Sequence, residues 1–577
     1  MKIVLALLLA LLAAPGVTFA ADTNRDLRVD PRLLLEARTV WQVIGTPRNP
    51  VWPGWNAADT PILVYLPGVQ DALIHHPHPP KGFVRYRGRT AFEPGALFLR
   101  DGPTTFSWDG QNTSTEIDGV PTLVVADTPS RLKEQIRGLL GDARPTETKL
   151  ADLNYERDLV PDLYEEMATI AHEAFHVFQA RRAPQKRANE RDVRLYPCLS
   201  VENNVGMALE GKALADCMRV TDAKALRAAA LRWLAVRRDR RQRLPRPAVA
   251  YEDGNEFSEG LAKYVELGLM RALEGRRPSD SLFLYQGFHG FTRLAEFREA
   301  RVRRMVSAMR GEVNVNNDPY GTSPIRDRLY YSGMAIATLL DRIAPSWKTR
   351  ILADSVTLTD LAAEALRATD ADLRAALAEA RSDPEYASMV ARKTNLAEDG
   401  RRDTDSLLAR VMRGGTTTLV FDYSALAGVK TGIGFTPFGV RALDTLRTIY
   451  TLVPIRASVG SKQTGFEETT PIPTLEDRGA RTFTFPLERP LSAEEARNLA
   501  VSAEHALAEA HSDPEYASIV AGKAKLAEDG RRDTDSLLAR VMRGGTTTLV
   551  FDYSALAGVK TGIGFTPFGV RALDTLR

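Results

Sequence analysis

The feature that most restricts the fold of this chain is a pair of histidines, His172 and His176, set four positions apart. Residues 168–179 read A-T-I-A-H-E-A-F-H-V-F-Q, which predicts an uninterrupted helix because no glycine or proline occurs. Four helical residues turn through about 400° and rise about 6 Å, so both imidazoles project from one face. On a buried helix these groups are costly without a partner. The spacing therefore predicts a metal site, with Glu173 as the base that takes a proton from water.

A catalytic zinc ion usually has three protein ligands and one open position, so a third ligand must come from elsewhere. Two Glu-Gly pairs are candidates: Glu210 with Gly211, and Glu259 with Gly260. Both glutamates lie in helical patterns that can face the first helix. For each of them, a solvated helix carboxylate is the ordinary alternative.

The first twenty residues predict export. A short positively charged N-terminal region is followed by a continuous apolar run at 3–14. Small residues then precede a predicted cleavage site after Ala20. The run is too short to span a bilayer. We therefore predict a signal peptide at 1–20 and a periplasmic or secreted product without a stable membrane span. In an oxidising compartment Cys198 and Cys217 can form a disulfide, and two buried thiols are the open alternative.

Length and composition indicate several folded units. The chain has 577 residues, of which 44% are hydrophobic and 26% are charged, as in globular proteins. The net charge is +3, from 76 basic and 73 acidic residues. This near-balance gives no reason to expect nucleic acid as a partner.

The periodicity of the apolar residues changes along the chain. Short apolar runs bounded by Gly, Pro and Asp predict a β-rich region at 21–150, and a helix is predicted at 129–140. Helical spacing predicts a helical catalytic region at 151–375, followed by a helix and a small β extension at 376–490. The fold class is therefore predicted as α+β. The predicted strands lie at 61–65, 82–86, 96–99 and 121–125, and the predicted helices at 164–180, 205–220, 223–237, 255–272, 291–310 and 330–344.

The C-terminal part contains a near-identical repeat. Residues 376–447 recur as 506–577 at an offset of 130, and only five of the 72 positions differ. Such identity indicates a recent tandem duplication or a sequence-assembly artefact, since solenoid repeats are shorter and more diverged. Strand-like segments at 448–487 follow the first copy and have no counterpart after the second. We therefore expect the region 491–577 to be an incomplete copy with unpaired strand edges.

The stretch at about 160–350 resembles the gluzincin metallopeptidases, the clan of thermolysin and the zinc aminopeptidases. In many of them a helix reading roughly N-E-G-x-A-x-Y supplies the third zinc ligand through its glutamate. Residues 258–264, S-E-G-L-A-K-Y, look like that element. The resemblance implies Glu259 as the third ligand. The number of residues between His176 and Glu259 is larger than in the best-known members. Glu210 is the alternative ligand or a supporting group.

A second part of the resemblance lies at 330–333, which reads Y-Y-S-G. It is similar to the Y-x-x-G element of aminopeptidase-type gluzincins, whose tyrosine donates a hydrogen bond to the oxyanion of the tetrahedral intermediate. This implies that role for Tyr330. Tyr331, or simple packing of the tyrosine pair at a helix start, remains an alternative.

These features together predict a zinc metallopeptidase with one Zn²⁺ per chain and a peptide or protein substrate. The predicted ligands are His172, His176 and Glu259, and the predicted catalytic residues are Glu173 and Tyr330. One alternative is a zinc hydrolase of a non-peptide amide or ester. Others are a catalytically silent zincin that acts as an exported binding or scaffold protein, and a cell-envelope protein that works through its duplicated segment. The sequence leaves the cleavage mode and the oligomeric state open.

Overall fold

The computed structural model of the chain has an α+β fold, as predicted. The predicted signal peptide at 1–20, the predicted helix at 129–140 and most of the second copy lie outside the residues that the structure describes. Those described residues are 26–102, 112–127, 162–312, 318–415, 417–422, 431–434, 439–451, 455–459, 464–468, 473–490, 547–552 and 569–573.

The chain divides into two compact units. Unit 1 comprises residues 1–181 and 265–294, and unit 2 comprises residues 182–264 and 295–577.

Unit 1 opens with a helix that the sequence pattern did not predict. Helix α1 (Pro31–Ile44) starts at Asp30, whose side chain accepts a hydrogen bond from the backbone N–H of Arg32 at 2.8 Å. Pro31 at the first helical position adds a backbone angle that suits a helix start. The region predicted as β-rich therefore begins with a buried amphipathic helix.

A six-stranded sheet follows in unit 1, with the spatial order β3-β4-β2-β1-β6-β5. All its neighbouring strands are antiparallel except β1 and β6, which are parallel. The four predicted runs are β1, β3, β4 and β6, whereas β2 and β5 were not predicted. The strands are β1 (Ile62–Leu66), β2 (Gln70–Ile74), β3 (Val84–Arg85), β4 (Leu97–Asp101), β5 (Thr113–Ile117) and β6 (Val120–Ala126).

Helix α2 (Leu163–Arg182) carries the two histidines and also belongs to unit 1, apart from its last residue. Asp162 begins it by accepting a hydrogen bond from the backbone N–H of Tyr164 at 2.7 Å. The buried ring of Phe175 packs against Trp52 and Trp55, with centroid separations of 4.8 and 5.1 Å. One face of α2 is thus fixed in an aromatic core. The face of the helix that carries His172 and His176 is therefore fixed as well.

Unit 2 is mainly helical. The six predicted helices all occur within the described residues, but 164–180 is α2 of unit 1 and the run 255–272 continues into unit 1 at Val265. The long run predicted at 255–272 is a continuous helix with a π-helical turn at Glu256–Gly260. The remaining helices are α3 (Val201–Arg219), α4 (Ala223–Arg241), α5 (Arg246–Asn255), α6 (Leu261–Leu273), α7 (Leu294–Arg310), α8 (Ser323–Ile343), α9 (Trp347–Arg350), α10 (Leu358–Leu366), α11 (Asp370–Arg381) and α12 (Tyr386–Arg413).

The C-terminal strands of unit 2 form a seven-stranded sheet, ordered β16-β15-β7-β14-β13-β10-β9, and a three-stranded sheet, ordered β12-β11-β8. Their bounds are β7 (Thr417–Asp422), β8 (Thr431–Gly434), β9 (Val440–Ala442), β10 (Arg447–Tyr450), β11 (Ile455–Val459), β12 (Thr464–Glu468), β13 (Thr474–Asp477), β14 (Thr482–Leu487), β15 (Thr547–Asp552) and β16 (Gly569–Leu573).

The two copies pair their strands differently. In the first copy β7 pairs with β14 and β9 pairs with β10, so its strands are completed by the segment that follows it. In the second copy β15 lies parallel to β7, in register with the identical sequence, and β16 pairs with β15. The expectation of unpaired strands is therefore wrong for β15, because the open edge of β7 accepts it.

Two further sequence questions are answered within the described residues. Cys198 and Cys217 are free thiols rather than a disulfide. Burial raises the pKa of both thiols to about 12, so they are protonated at neutral pH. In the same part of the chain, no helix combines the length and the apolar character that crossing a bilayer requires.

Unit 1 buries carboxyl groups that repel one another. Glu36 of α1 is fully buried, and Glu166 of α2 is 5% exposed. Burial raises the pKa of Glu166 to about 7, and repulsion from Asp127 acts in the same direction, while Arg32 opposes both. Burial and the nearby charge of Glu166 likewise raise the pKa of Glu36 well above its usual value.

We therefore expect unit 1 to lose stability as the pH rises from 4.5 to about 7. In this window Glu166 is ionised in the unfolded chain and protonated in the folded one, so the folded state binds the extra proton. The free energy of unfolding then falls with rising pH, by up to about 3 kcal/mol. Glu166→Gln cannot ionise and should reduce this pH slope in thermal unfolding experiments.

The matched control is Glu116→Gln, on an exposed position of β5, which should keep the wild-type slope. If the melting temperature of Glu166→Gln depends on pH as steeply as that of the wild type, the buried carboxyl is not the cause.

Candidate metal centre

The two histidines of α2 each have one ring nitrogen engaged by a neighbouring side chain. His172 Nδ1 lies 2.8 Å from Glu266 Oε1, and His176 Nδ1 lies 2.9 Å from Gln179 Oε1. Both partners are acceptors, so they favour the tautomer with a hydrogen on Nδ1 and a lone pair on Nε2. The ring centroids are 4.8 Å apart and the ring planes are nearly perpendicular. Both Nε2 atoms are thereby prepared as ligands.

Glu259 completes a group of three. His172, His176 and Glu259 each offer one ligand atom, and these atoms all lie within 4.8 Å of one another. His172 is buried, and the other two are partly buried. Two imidazoles and a carboxylate form a donor set that suits zinc and related divalent ions. This group can therefore hold a metal ion.

The carboxylate of Glu259 stands on the π-helical turn at Glu256–Gly260, seven residues before Glu266 on the same continuous helix. Such turns insert one residue into a helix and often occur at functional sites. The helix thus presents Glu259 as a possible ligand and, two turns later, Glu266 as the group that orients His172.

Two glycines allow the closest helix contact at the site. A Cβ atom added to Gly260 would lie 2.6 Å from the Cα of Gly333 on α8, and one added to Gly333 would lie 2.6 Å from the carbonyl oxygen of Glu256. Real Cβ atoms do not approach this closely, so the two backbones can meet only where no side chain intervenes. The glycines of the E-G and Y-x-x-G patterns therefore have a packing role, which brings α8 next to Glu259.

Glu210, the alternative third ligand, is engaged in a different structure. It is fully buried and accepts hydrogen bonds from Arg237 at 3.1 Å and from Arg240 at 2.6 Å. Both arginines are themselves buried and also contact Glu256 and Glu252, so Glu210 is part of a larger buried ion cluster. Glu210 does not belong to the group around His172 and His176.

Tyr330 lies close to Glu259 through a shared arginine. Arg326 Nη2 donates a hydrogen bond to the Tyr330 hydroxyl at 3.2 Å and lies 3.7 Å from Glu259 Oε1. The other end of the guanidinium contacts both carboxylate oxygens of Glu190 at 2.7 Å. Burial, followed by the negative charge of Glu259, raises the pKa of the Tyr330 phenol.

Tyr331 has different surroundings. It is 5% exposed, and its ring packs beneath the guanidinium of Arg304, 6.0 Å from the ring centroid. Of the two tyrosines, therefore, Tyr330 is the one whose hydroxyl shares a partner with Glu259.

Sequence reasoning missed Glu266, Gln179 and Arg326. For Glu266 a signal existed, because a spacing of seven residues from Glu259 places both carboxylates on one face of a helix. Gln179 follows His176 by three residues, which is contact distance on a helix. Arg326 lies four residues before Tyr330 on one helix, which is also contact distance, but its contacts with Glu190 and Glu259 come from separate segments of the chain.

Comparison with known proteins adds no family or fold assignment. No family model, no curated protein and no solved structure matches this chain.

We expect the purified chain to bind one zinc ion, because three suitable donors are grouped together. Glu259→Ala should abolish stoichiometric binding, whereas Glu266→Gln, which only loosens the orientation of His172, should weaken it about 10- to 100-fold. Competitive titration with a chromophoric chelator measures both affinities.

Glu210→Gln separates the two possible third ligands. It should lower the melting temperature by breaking a buried ion cluster, while the folded fraction keeps wild-type zinc affinity. Zinc loss in Glu210→Gln with full retention in Glu259→Ala would reverse the assignment.

Proposed function

We propose that this chain is an exported zinc-dependent metallopeptidase of the gluzincin type. The grouping of His172, His176 and Glu259, with Glu173 beside the first histidine, carries this proposal. Three protein donors are the usual number at a catalytic zinc site, where the fourth position is taken by water or substrate. A zinc ion held there would lower the pKa of a bound water to about 7 and polarise a carbonyl group.

Glu173 is the proposed general base. It is partly buried on α2, next to His172, and it is not a member of the three-residue ligand group. Its carboxylate accepts the proton of the attacking water and later delivers it to the nitrogen of the leaving amine. One residue thus supplies both proton transfers that peptide hydrolysis requires.

Tyr330 is the proposed oxyanion donor. Its hydroxyl oxygen accepts a hydrogen bond from Arg326, so its own hydrogen is available to a second acceptor. The raised pKa keeps this hydrogen on the phenol at neutral pH. A donor held in advance where negative charge develops lowers the barrier without reorganisation during the reaction.

We expect Glu173→Gln to retain zinc and to lose about 10²- to 10⁴-fold in peptide hydrolysis, because the amide cannot accept a proton. A library of fluorescence-quenched peptides provides the rate, and metal analysis of the same sample provides the zinc content. Wild-type hydrolysis by Glu173→Gln would remove this residue from the mechanism. If the wild type cleaves small esters or amides but no peptide, the protein is a zinc hydrolase of another class.

Tyr330→Phe and Tyr331→Phe form a matched pair that differs by one position. Tyr330→Phe should lower kcat about 10²- to 10³-fold with little change in KM, since its hydrogen bond forms only as the oxyanion develops. Tyr331→Phe should retain most of the activity because its ring packs against Arg304, which the substitution preserves. Steady-state kinetics on one peptide substrate compares the two, and the reverse order of effects would assign the role to Tyr331.

A further inference from the structure

Two neighbouring apolar side chains of unit 1 project into solvent. Phe283 is 54% exposed and Leu284 is 83% exposed, and we call this pair the apolar tip. Among the described residues, Met412 and Leu446 are also large, apolar and exposed, but they stand far apart in the chain. Adjacent exposed residues of this size are unusual enough on a protein surface to suggest a binding role.

The apolar tip is held rigidly. It ends a short 3-10 helix, Asp280–Leu284, which is anchored by the fully buried side chain of Leu282. The ring of Phe283 packs edge-on against Phe288, with centroids 5.1 Å apart. Exposure of the tip is therefore built into the structure and does not result from a loose loop.

Phe288 in turn belongs to a buried aromatic cluster. Its ring stacks on Tyr164 at 5.6 Å and contacts Phe291 at 5.3 Å. The Tyr164 hydroxyl closes the same loop by donating to the carbonyl of Gly290 at 2.8 Å and accepting from the backbone N–H of His289 at 3.0 Å. The apolar tip thus rests on a set of mutually contacting aromatic rings.

Positive charge flanks the apolar tip. Arg276 and Arg277 are both exposed, and the backbone N–H of Gly275 donates to the carbonyl of Phe291 at 2.9 Å, which ties this arginine pair to the aromatic cluster. Arg277 also lies 3.7 Å from Asp280, the first residue of the 3-10 helix. The arginine pair, offset in part by the exposed carboxylates of Glu274 and Asp280, therefore lies beside the apolar tip in the chain.

The size and charge of this surface favour a lipid partner. A stable protein interface buries about 800 Å² on each side, which two side chains cannot supply. A lipid–water interface, by contrast, accepts a small apolar insertion, and anionic headgroups attract neighbouring arginines. We propose that the apolar tip inserts into the surface of an anionic bilayer, with Arg276 and Arg277 at the headgroups. This is independent of the proposed peptidase activity.

Vesicle co-sedimentation of the full chain tests this surface. Binding should be strong to vesicles containing phosphatidylglycerol and weak to pure phosphatidylcholine. Leu284→Ser should weaken binding at least about tenfold, since burial of a leucine side chain is lost. Met412→Ser, at a position on α12 that is 71% exposed, is the control and should bind like the wild type.

Two further variants separate insertion from simple adsorption. Leu284→Trp should bind, and its fluorescence should be quenched by brominated lipid chains when the side chain enters the bilayer. Arg276→Gln combined with Arg277→Gln should lower affinity for the anionic vesicles about tenfold or more at low salt, and the loss should shrink as salt is added.

Equal vesicle binding by the wild type and Leu284→Ser would overturn the proposal, as would the absence of any binding to anionic vesicles. An association of the wild type into dimers that Leu284→Ser abolishes would also overturn it, since the tip would then be an interface between copies of this chain. Light scattering after size-exclusion chromatography detects that outcome.

Discussion

The helical unit depends on the neutralisation of two buried guanidinium groups. Arg240 contacts Glu210 and Glu252, and Arg237 contacts Glu210 and Glu256, all with little or no exposure to solvent. A charge buried without its partner costs several kcal/mol, so the helices that carry these residues can meet in only one register. Glu256 lies three residues before Glu259. The cluster therefore also fixes the helical turn from which the carboxylate of the candidate metal centre projects.

The same rule applies on a smaller scale around the histidines. A buried neutral imidazole needs a hydrogen-bond acceptor for its N–H and a donor or a metal ion for its other nitrogen. Glu266 and Gln179 supply the acceptors at Nδ1, which favours the tautomer with the lone pair of each ring on Nε2. Because these partners are themselves buried, the ring orientations are established before any ion arrives. The cost of ordering the ligands is then met by folding rather than by metal binding.

Local spacing predicted the α+β class, the six helices and the pair His172 and His176, whereas Glu259 was implied only by the resemblance of the segment 258–264. It could not decide between Glu210 and Glu259, which both precede a glycine on a helix. The difference lies in the buried arginines that surround Glu210, and their proximity is a tertiary fact. Strand β2 was missed for a similar reason: Gln70 is buried within it, but its amide donates to Asp101 on a neighbouring strand.

The repeat in the C-terminal sheet makes folding ambiguous. Strands β7 and β15 have the same six residues, T-T-L-V-F-D, and pair with each other in register. Strand β14 therefore has two chemically identical candidates for one neighbour, and side-chain chemistry cannot choose between them. Loop length does not discriminate either, since 59 residues (423–481) separate β7 from β14 and 59 residues (488–546) separate β14 from β15. Because these intervals are equal, closure entropy favours neither partner, and the two possible strand orders have similar free energy.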